Sequence, residues 1–300
     1  MERILFTADL RAQGLNQADI DRQLKAGLLE RIRRGSFASP LEDPSLESQH
    51  RRTVLATVPH LEAGAVVSHG SAAVLHGLPI WPDMVSRVHL TRSRSYGGKR
   101  RRLVHVHDAP IRPGQIEVLE EVPVTSLART VLDLGRTLPF HQGVAVADRA
   151  LALGLDRGEL WIALLDMEHW PGVRRARRVA EFADGRSESV GESVSRVRFG
   201  ELGLPAPIVQ FEVLDPSGRP FARSDFGWEQ QRTLGEFDGK IKYGRLLRAG
   251  QSIQDVVYAE KLREDALRDF GWQVVRWGWS ELDRPELIRD RLLRAFARAG

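Results

Sequence analysis

No cysteine occurs anywhere in the chain, which removes disulfides, thiolate zinc centres and cysteine nucleophiles from consideration together. No stretch approaches the roughly 18 consecutive apolar residues that a membrane-spanning helix needs. The opening residues "MERILFTADL" lack a basic start followed by a long apolar run, so no export leader is expected and a cytoplasmic location is. Internal repeats and low-complexity tracts are also missing.

What is present describes a folded chain. Of the 300 residues, 42% are hydrophobic and 28% charged, and this length predicts two or three domains. The net charge is +4, and the basic side is carried by Arg far more than by Lys. Arginine grips phosphates and base edges in a planar, bidentate manner, so nucleic acid is a natural partner.

Near the start, "FTADLRAQGLNQADIDRQLKAGLLERIRRGSFAS" carries two short helical patterns separated by Gly14, with Asn16 placed as an N-cap. Leu15, Ile20, Leu24 and Leu28 return at helical spacing. The run "LLERIRRGSFA" alternates apolar and basic residues around Gly35, as a small β-hairpin does. Helix, turn, helix and basic hairpin is the order of a winged helix-turn-helix, expected over residues 1–40. In that geometry Asn16, Gln17 and Arg22 of the second helix face a DNA major groove, while Arg31, Arg33 and Arg34 of the wing reach phosphates or the minor groove. Such units commonly act as dimers on paired half-sites, which makes a homodimer on double-stranded DNA one expectation.

A linker, "SPLEDPSLESQ", leads into a mixed α/β module expected over residues 41–168. In it "HRRTVLATVPHL", "SHGSAAVLHGL" and "PVTSLARTVLDLGR" follow helical spacing, whereas "SRVHLTR" and "RLVHVHDA" alternate like strands. Between those strands lies the basic loop "SRSYGGKRRR", whose Lys99, Arg100, Arg101 and Arg102 suit DNA backbone contacts. His105 and His107 share one face of a strand, and His69 and His76 one face of a helix; neither pair has an acid at a metal-ligand spacing, and both are expected to serve packing or hydrogen bonding.

From residue 169 to 300 the order of patterns is helix, strands, helix, strand, helix, which predicts a mixed sheet covered by helices. The closing helix carries Leu287, Ile288, Leu292 and Phe296 on its apolar side, and Trp272, Trp277 and Trp279 surround the last strand, mainly as core residues. In "TLGEFDGKIKYGR" the charges Glu236, Asp238 and Lys240 alternate along a strand, and Asp225 lies eleven residues before Glu236 across the polar turn "EQQ". Antiparallel pairing sets Asp225 beside Glu236. Two buried carboxylates repel unless a cation lies between them, and a hard divalent ion, Mg²⁺ or Mn²⁺, suits oxygen donors and phosphate. Glu192 offers a third carboxylate from a helix, with Glu188 one turn before it, and Gln210 lies on the preceding strand. Asp238 is either a third ligand or a turn residue, and Lys240 can stabilise charge on a phosphate.

The segments "GESVSRVRFGELGLPAP", "FARSDFGW", "LGEFDGKIKYG" and "EKLREDALRDFGWQVVRWGWSEL" resemble the nuclease domain of the PD-(D/E)XK superfamily, in the branch similar to very-short-patch-repair endonucleases. The resemblance spans roughly residues 175 to 285. It implies a restriction-endonuclease-like α/β/α domain in which Asp225 and Glu236 hold the metal, Glu192 supports the site, and the helix bearing Glu260, Lys261 and Arg263 closes over it. The superfamily places a lysine where this chain has Asp238, so Lys240 or Lys261 must supply the cation. The first half, with its wing and "VSHGSAAVLHGLP", is similar to AbiEi-type antitoxins of type IV toxin-antitoxin systems, which implies DNA-binding regulation and a partner toxin. Two functions follow: metal-dependent DNA endonuclease, or non-catalytic transcriptional autoregulator on a degenerate nuclease fold.

Overall fold

A computed structural model describes residues 3–61, 64–93, 99–100, 102–239 and 253–299. The chain is a multidomain protein of helices and mixed sheets, and it divides into two compact units: 1–138 with 155–178, and 139–154 with 179–300.

The first unit opens with β1 (Leu5–Phe6), α1 (Thr7–Ala12), α2 (Gln17–Lys25), β2 (Glu30–Arg33) and β3 (Ser36–Ala38). Asn16 caps α2, accepting from the Asp19 amide at 3.1 Å while Asp19 accepts from the Asn16 amide at 3.0 Å. Leu10, Ile20, Leu29 and Phe37 are the buried centre of this subdomain. The wing has a third strand that the hairpin pattern did not predict: β1 pairs with β3, Leu5 opposite Phe37, giving the order β1-β3-β2. Two residues are too short to show an alternation.

The expected linker is shorter than its composition suggests. Ser45 accepts from the Ser48 amide and caps α3 (Leu46–Leu55), so "LESQ" is helix. Next come β4 (Val66–Val67), α4 (His69–Leu75), β5 (Val88–Arg92), β6 (Lys99–Arg100), β7 (Val104–Asp108), β8 (Ile116–Leu119), β9 (Val122–Thr125) and α5 (Leu127–Thr137). Six strands form one sheet in the order β6-β7-β5-β4-β9-β8, with β5–β7 and β4–β9 parallel. The end of the basic loop is therefore an edge strand. The β8–β9 hairpin escaped sequence reading because its turn is two glutamates, Glu120 and Glu121, at φ +50° and +64°; a type I′ turn normally announces itself with Asn or Gly. Val54, Val67, Ala72, Leu75, Val88, Leu90 and Val124 pack α3 and α4 onto this sheet.

The second unit begins with α6 (Phe140–Ala152), and α7 (Arg157–Leu165) returns to the first. Helix α8 (Val173–Phe182) runs through the boundary at residue 178. Then follow α9 (Val190–Glu201), β10 (Ile208–Leu214), β11 (Pro220–Trp228), β12 (Thr233–Asp238), α10 (Ile253–Asp269), β13 (Gln273–Gly278), α11 (Trp279–Leu282) and α12 (Pro285–Ala299). The sheet order is β10-β11-β12-β13; the first three strands meander antiparallel, and β13 joins parallel to β12. On one face Phe226, Trp228 and Trp277 pack with Val194 and Phe199 of α9 and Ile288 and Leu292 of α12. On the other, Val213, Leu234 and Trp272 pack with Leu267 of α10. Leu287 departs from the expected apolar stripe and is 45% exposed, because the buried stripe runs through Ile288, Leu292 and Ala295. Among the described residues no helix is long and apolar enough to cross a membrane.

Candidate functional site

In the second unit the strand registers align a polar row. Phe226 pairs with Gly235 across β11–β12, so the next pair outward is Asp225 and Glu236. On the other side, Val209↔Phe226 and Phe211↔Ser224 bracket Gln210, which lies opposite Asp225 with a left-handed φ of +54°. Glu236 pairs in parallel register with Arg276 of β13. Gln210, Asp225, Glu236 and Arg276 thus occupy neighbouring positions across all four strands.

Helix α9 adds the third acid. Gly191 lies so close to Phe237 of β12 that a Cβ there would stand 1.9 Å from the ring. That approach brings the next residue, Glu192, to the sheet. Glu192 is buried, accepting from Gln210 Nε2 at 2.9 Å, Ser189 Oγ at 2.8 Å and the Glu188 amide at 2.9 Å. Gln210 therefore orients a carboxylate of this site.

Asp225 accepts from the Phe237 amide through Oδ2 at 2.7 Å. Its pKa is pushed up to about 6, first by burial, then by the carboxylates of Glu192, Glu236 and Glu188, against the opposing effect of the amide. Glu236 is held differently. Arg263 of α10 donates to it at 2.7 Å and Arg276 meets it at 2.8 Å. The cations at this acid are arginines; Lys261 is exposed, two residues from Arg263 and so on another side of the helix. Arg276 carried no signal in the sequence because its partner strand is parallel and distant. Asp238 is exposed at the end of β12, opposite Gly278, and Lys240 lies outside the described residues. Trp272 and Trp277 are buried as expected, whereas Trp279 is 45% exposed and meets Phe237 edge-on at 5.1 Å.

The residues expected to contact DNA are spread over the first unit. Gln17 donates to Asp21 at 3.0 Å, and Arg22, 75% exposed at its side chain, pairs with Asp19 at 3.1 Å. Arg31 lies 3.9 Å from Asp21 and over the Phe37 ring. Arg34 is exposed. Arg33 turns inward, donating to Thr57 Oγ1 at 3.0 Å, and lines a cleft of about 350 Å³ with Arg92, Arg102 and the apolar Leu61, Leu90 and Val104. Arg101 lies outside the described residues, as do the side chains of Lys99 and Arg100.

The first unit also holds a centre that the sequence did not disclose. His69, His89 and His107 bring their ring nitrogens within 4.8 Å of one another, the one group of three or more potential metal ligands among the described residues. They come from the start of α4, from β5 and from β7. His89 Nδ1 is 2.9 Å from His107 Nε2, and His69 Nδ1 is 3.1 Å from Ser68 Oγ. The rings of His69 and His107 stack at 3.7 Å, and His105 adds a fourth ring 3.9 Å from His107. The pKa of His69 is held well below its ordinary value by burial and then by Arg136, His89, Arg129 and His105. That of His107 is pushed down to about 2, by burial and then by the neighbouring rings. The pairing of His69 with His76 on one helix face does not occur: His76 Nε2 donates to the Thr125 carbonyl at 2.8 Å. The convergence that does occur needs the parallel β5–β7 register, Thr91 opposite His107, which strand alternation alone cannot supply. Packing and ring stacking remain real features of these histidines, and the cluster is capable of coordinating a divalent ion as well.

No family model matches the chain. It is 28% identical over 224 residues to two curated proteins of Mycobacterium tuberculosis, "Uncharacterized protein MT2308" of strain CDC 1551 / Oshkosh and "Uncharacterized protein Rv2248" of strain H37Rv. Each match spans 73% of this chain and 76% of the relative. Among solved structures, the crystal structure of the RV2827C protein from Mycobacterium tuberculosis is similar with a TM-score of 0.39 and 15% identity, over 71% of this chain and 84% of that one.

Proposed function

We propose that the chain is a DNA-binding protein whose second unit hydrolyses phosphodiester bonds with the help of a divalent ion, as the resemblance to very-short-patch-repair-like PD-(D/E)XK endonucleases implies. The observation that carries this reading is the strand register that sets Asp225 beside Glu236, with Asp225 pushed up to about 6 by burial and by the carboxylates of Glu192 and Glu236, although the three acids do not converge as closely as a ligand triad. Burying mutually repelling carboxylates is costly, and a cation among them relieves that cost. The donor set is carboxylate oxygen alone, which fits Mg²⁺ or Mn²⁺, with Asp225 and Glu236 as the holding residues. Such an ion supplies a more acidic water and positive charge for the phosphate.

The chain's own residues supply the rest. Gln210 fixes Glu192 at 2.9 Å. Arg263 and Arg276, which neutralise Glu236, are placed to take up negative charge on a bound phosphate. The exposed face of Trp279 offers a base a stacking surface. In the first unit, Arg22, Arg31 and Arg34 give the winged subdomain its phosphate contacts. Lys240 and Asp238 keep assisting roles in this reading, Arg263 and Arg276 take the part expected of Lys261, and a cytoplasmic setting, a homodimer and a partner toxin belong to the same proposal.

A second reading is favoured by one observation: two guanidiniums already satisfy Glu236. Under it the site is a retained scaffold and the protein a non-catalytic autoregulator of AbiEi type. Plasmid cleavage with Mg²⁺, Mn²⁺ or EDTA separates the two. Metal-dependent cutting, reduced at least about a hundredfold in folded Asp225→Ala and Glu236→Gln variants, supports the nuclease. Wild type that binds DNA and never cuts it with either ion refutes it.

A further inference from the structure

Three imidazoles meeting from three separate elements are not explained by the proposed chemistry, which lies in the other unit. His69 is the telling member. It is 3% exposed, adopts a left-handed φ of +50°, and leaves Nε2 buried with no hydrogen-bond partner. A buried orphan nitrogen and a strained backbone at one residue both call for compensation. His89 Nδ1 and His107 Nε2, 2.9 Å apart, can bond to each other only by sharing one proton.

We propose that His69, His89 and His107 bind a borderline transition ion of the Zn²⁺ class, with His69 Nε2 as one ligand. The donor set is purely imidazole nitrogen, which suits Zn²⁺, Co²⁺ or Ni²⁺ and not the hard ions invoked for the acids. Around them, Thr91 Oγ1 donates to Ser68 Oγ at 2.7 Å, and Ser68 Oγ in turn meets His69 Nδ1, orienting that ring through its far nitrogen. Nearby positive charge works against the ion. Arg129 and Arg136 are tied to the single buried Asp133 at 2.9 and 3.0 Å, which leaves an excess of one positive charge. That repulsion acts on any divalent ion, so the imidazole bonds must outweigh it. Zinc–nitrogen bonds of about 2.0–2.1 Å require the His69–His107 stack to open, so binding rotates these rings. His105, third in the stack, is the nearest candidate for a fourth ligand.

The test uses the full-length chain, stripped of metal and then titrated with Co²⁺ and Zn²⁺. Visible d–d bands of low-coordinate Co²⁺, displaced by Zn²⁺ at one ion per chain, together with a higher melting temperature, are expected. Folded His89→Gln and His107→Gln variants should bind at least about a hundredfold more weakly, whereas Asp225→Asn should bind Zn²⁺ as the wild type does. A wild type that shows no such bands and retains no Zn²⁺ at one equivalent overturns the proposal, and this needs no variant to fold. Unchanged affinity in both histidine variants overturns it as well. Failure of DNA cleavage bears only on the acids.

Discussion

Asp225 is a carboxyl group whose protein surroundings favour its proton. Below about pH 3.8 it is protonated in the folded and unfolded states alike and costs nothing. Between 3.8 and about 6 the unfolded chain ionises while the folded one keeps its proton, so stability falls as pH rises, and above about 6 the cost is complete. Asp225→Asn removes the charge and keeps an acceptor for the Phe237 amide. Its melting temperature in EDTA should exceed that of the wild type at pH 8, by an equivalent of about 1–3 kcal/mol, with the gap closing near pH 4. Saturating Mg²⁺ should narrow the gap at pH 8 by stabilising only the wild type. A variant no more stable at pH 8 than at pH 4, relative to wild type, would refute the assignment. The facing of Asp225 and Glu236 was legible because a polar turn and a short separation leave few registers for a hairpin. Of the partners of Glu236, Arg263 lies on the helix that the resemblance set over the site, whereas Arg276, 40 residues later on a parallel strand, carried no signal. His89 went unnoticed for the same reason: its neighbours belong to strands paired at a distance.

At the scale of elements, α9 and β12 touch where a side chain would not fit. Gly191→Ala gains helix propensity, but its Cβ at 1.9 Å from Phe237 must push the helix away or turn the ring. Overpacking of this kind costs about 1–3 kcal/mol, and here it also shifts Glu192. Urea unfolding should show a lower midpoint with an unchanged slope, and the added change Phe237→Leu should restore much of it. Restoration by less than a few tenths of a kcal/mol would mean that the contact is not the cause. Helix α9 was legible as a helix bearing Glu192, though its Ser189 cap was not read, and β10 to β13 were legible from strand-like runs and turns. The elements that stayed hidden, β1, β4 and the β8–β9 hairpin, are two-residue strands or are joined by a turn with no glycine or asparagine. Their existence is decided by tertiary pairing rather than local preference.

For the whole molecule, charge is the property that acts at long range. The net +4 and the arginines exposed on the winged subdomain predict DNA affinity that weakens as salt rises, with each neutralised phosphate contributing about 0.9 to the slope of log K against log salt. Fluorescence anisotropy between 50 and 200 mM salt should give a negative slope, shallower by about 1 in Arg34→Ala. A slope of zero would remove DNA from the proposal. Composition, element order and the mixed α/β class could be anticipated from the chain, as could the acidic row. The histidine centre could not, since no spacing in one dimension announces a meeting of residues 69, 89 and 107.

Strand β13 is the last to join its sheet, and it does so in parallel, with Thr233 opposite Gln273. The meander β10-β11-β12 precedes it in the chain, so the acids are synthesised before Arg263 and Arg276. A nascent chain halted after Gly239 would hold Asp225 and Glu236 without their counter-charges and present β12 as an open edge, ready to pair with another such chain. Translation must pass Gly278 before the repulsion is answered and the edge is closed.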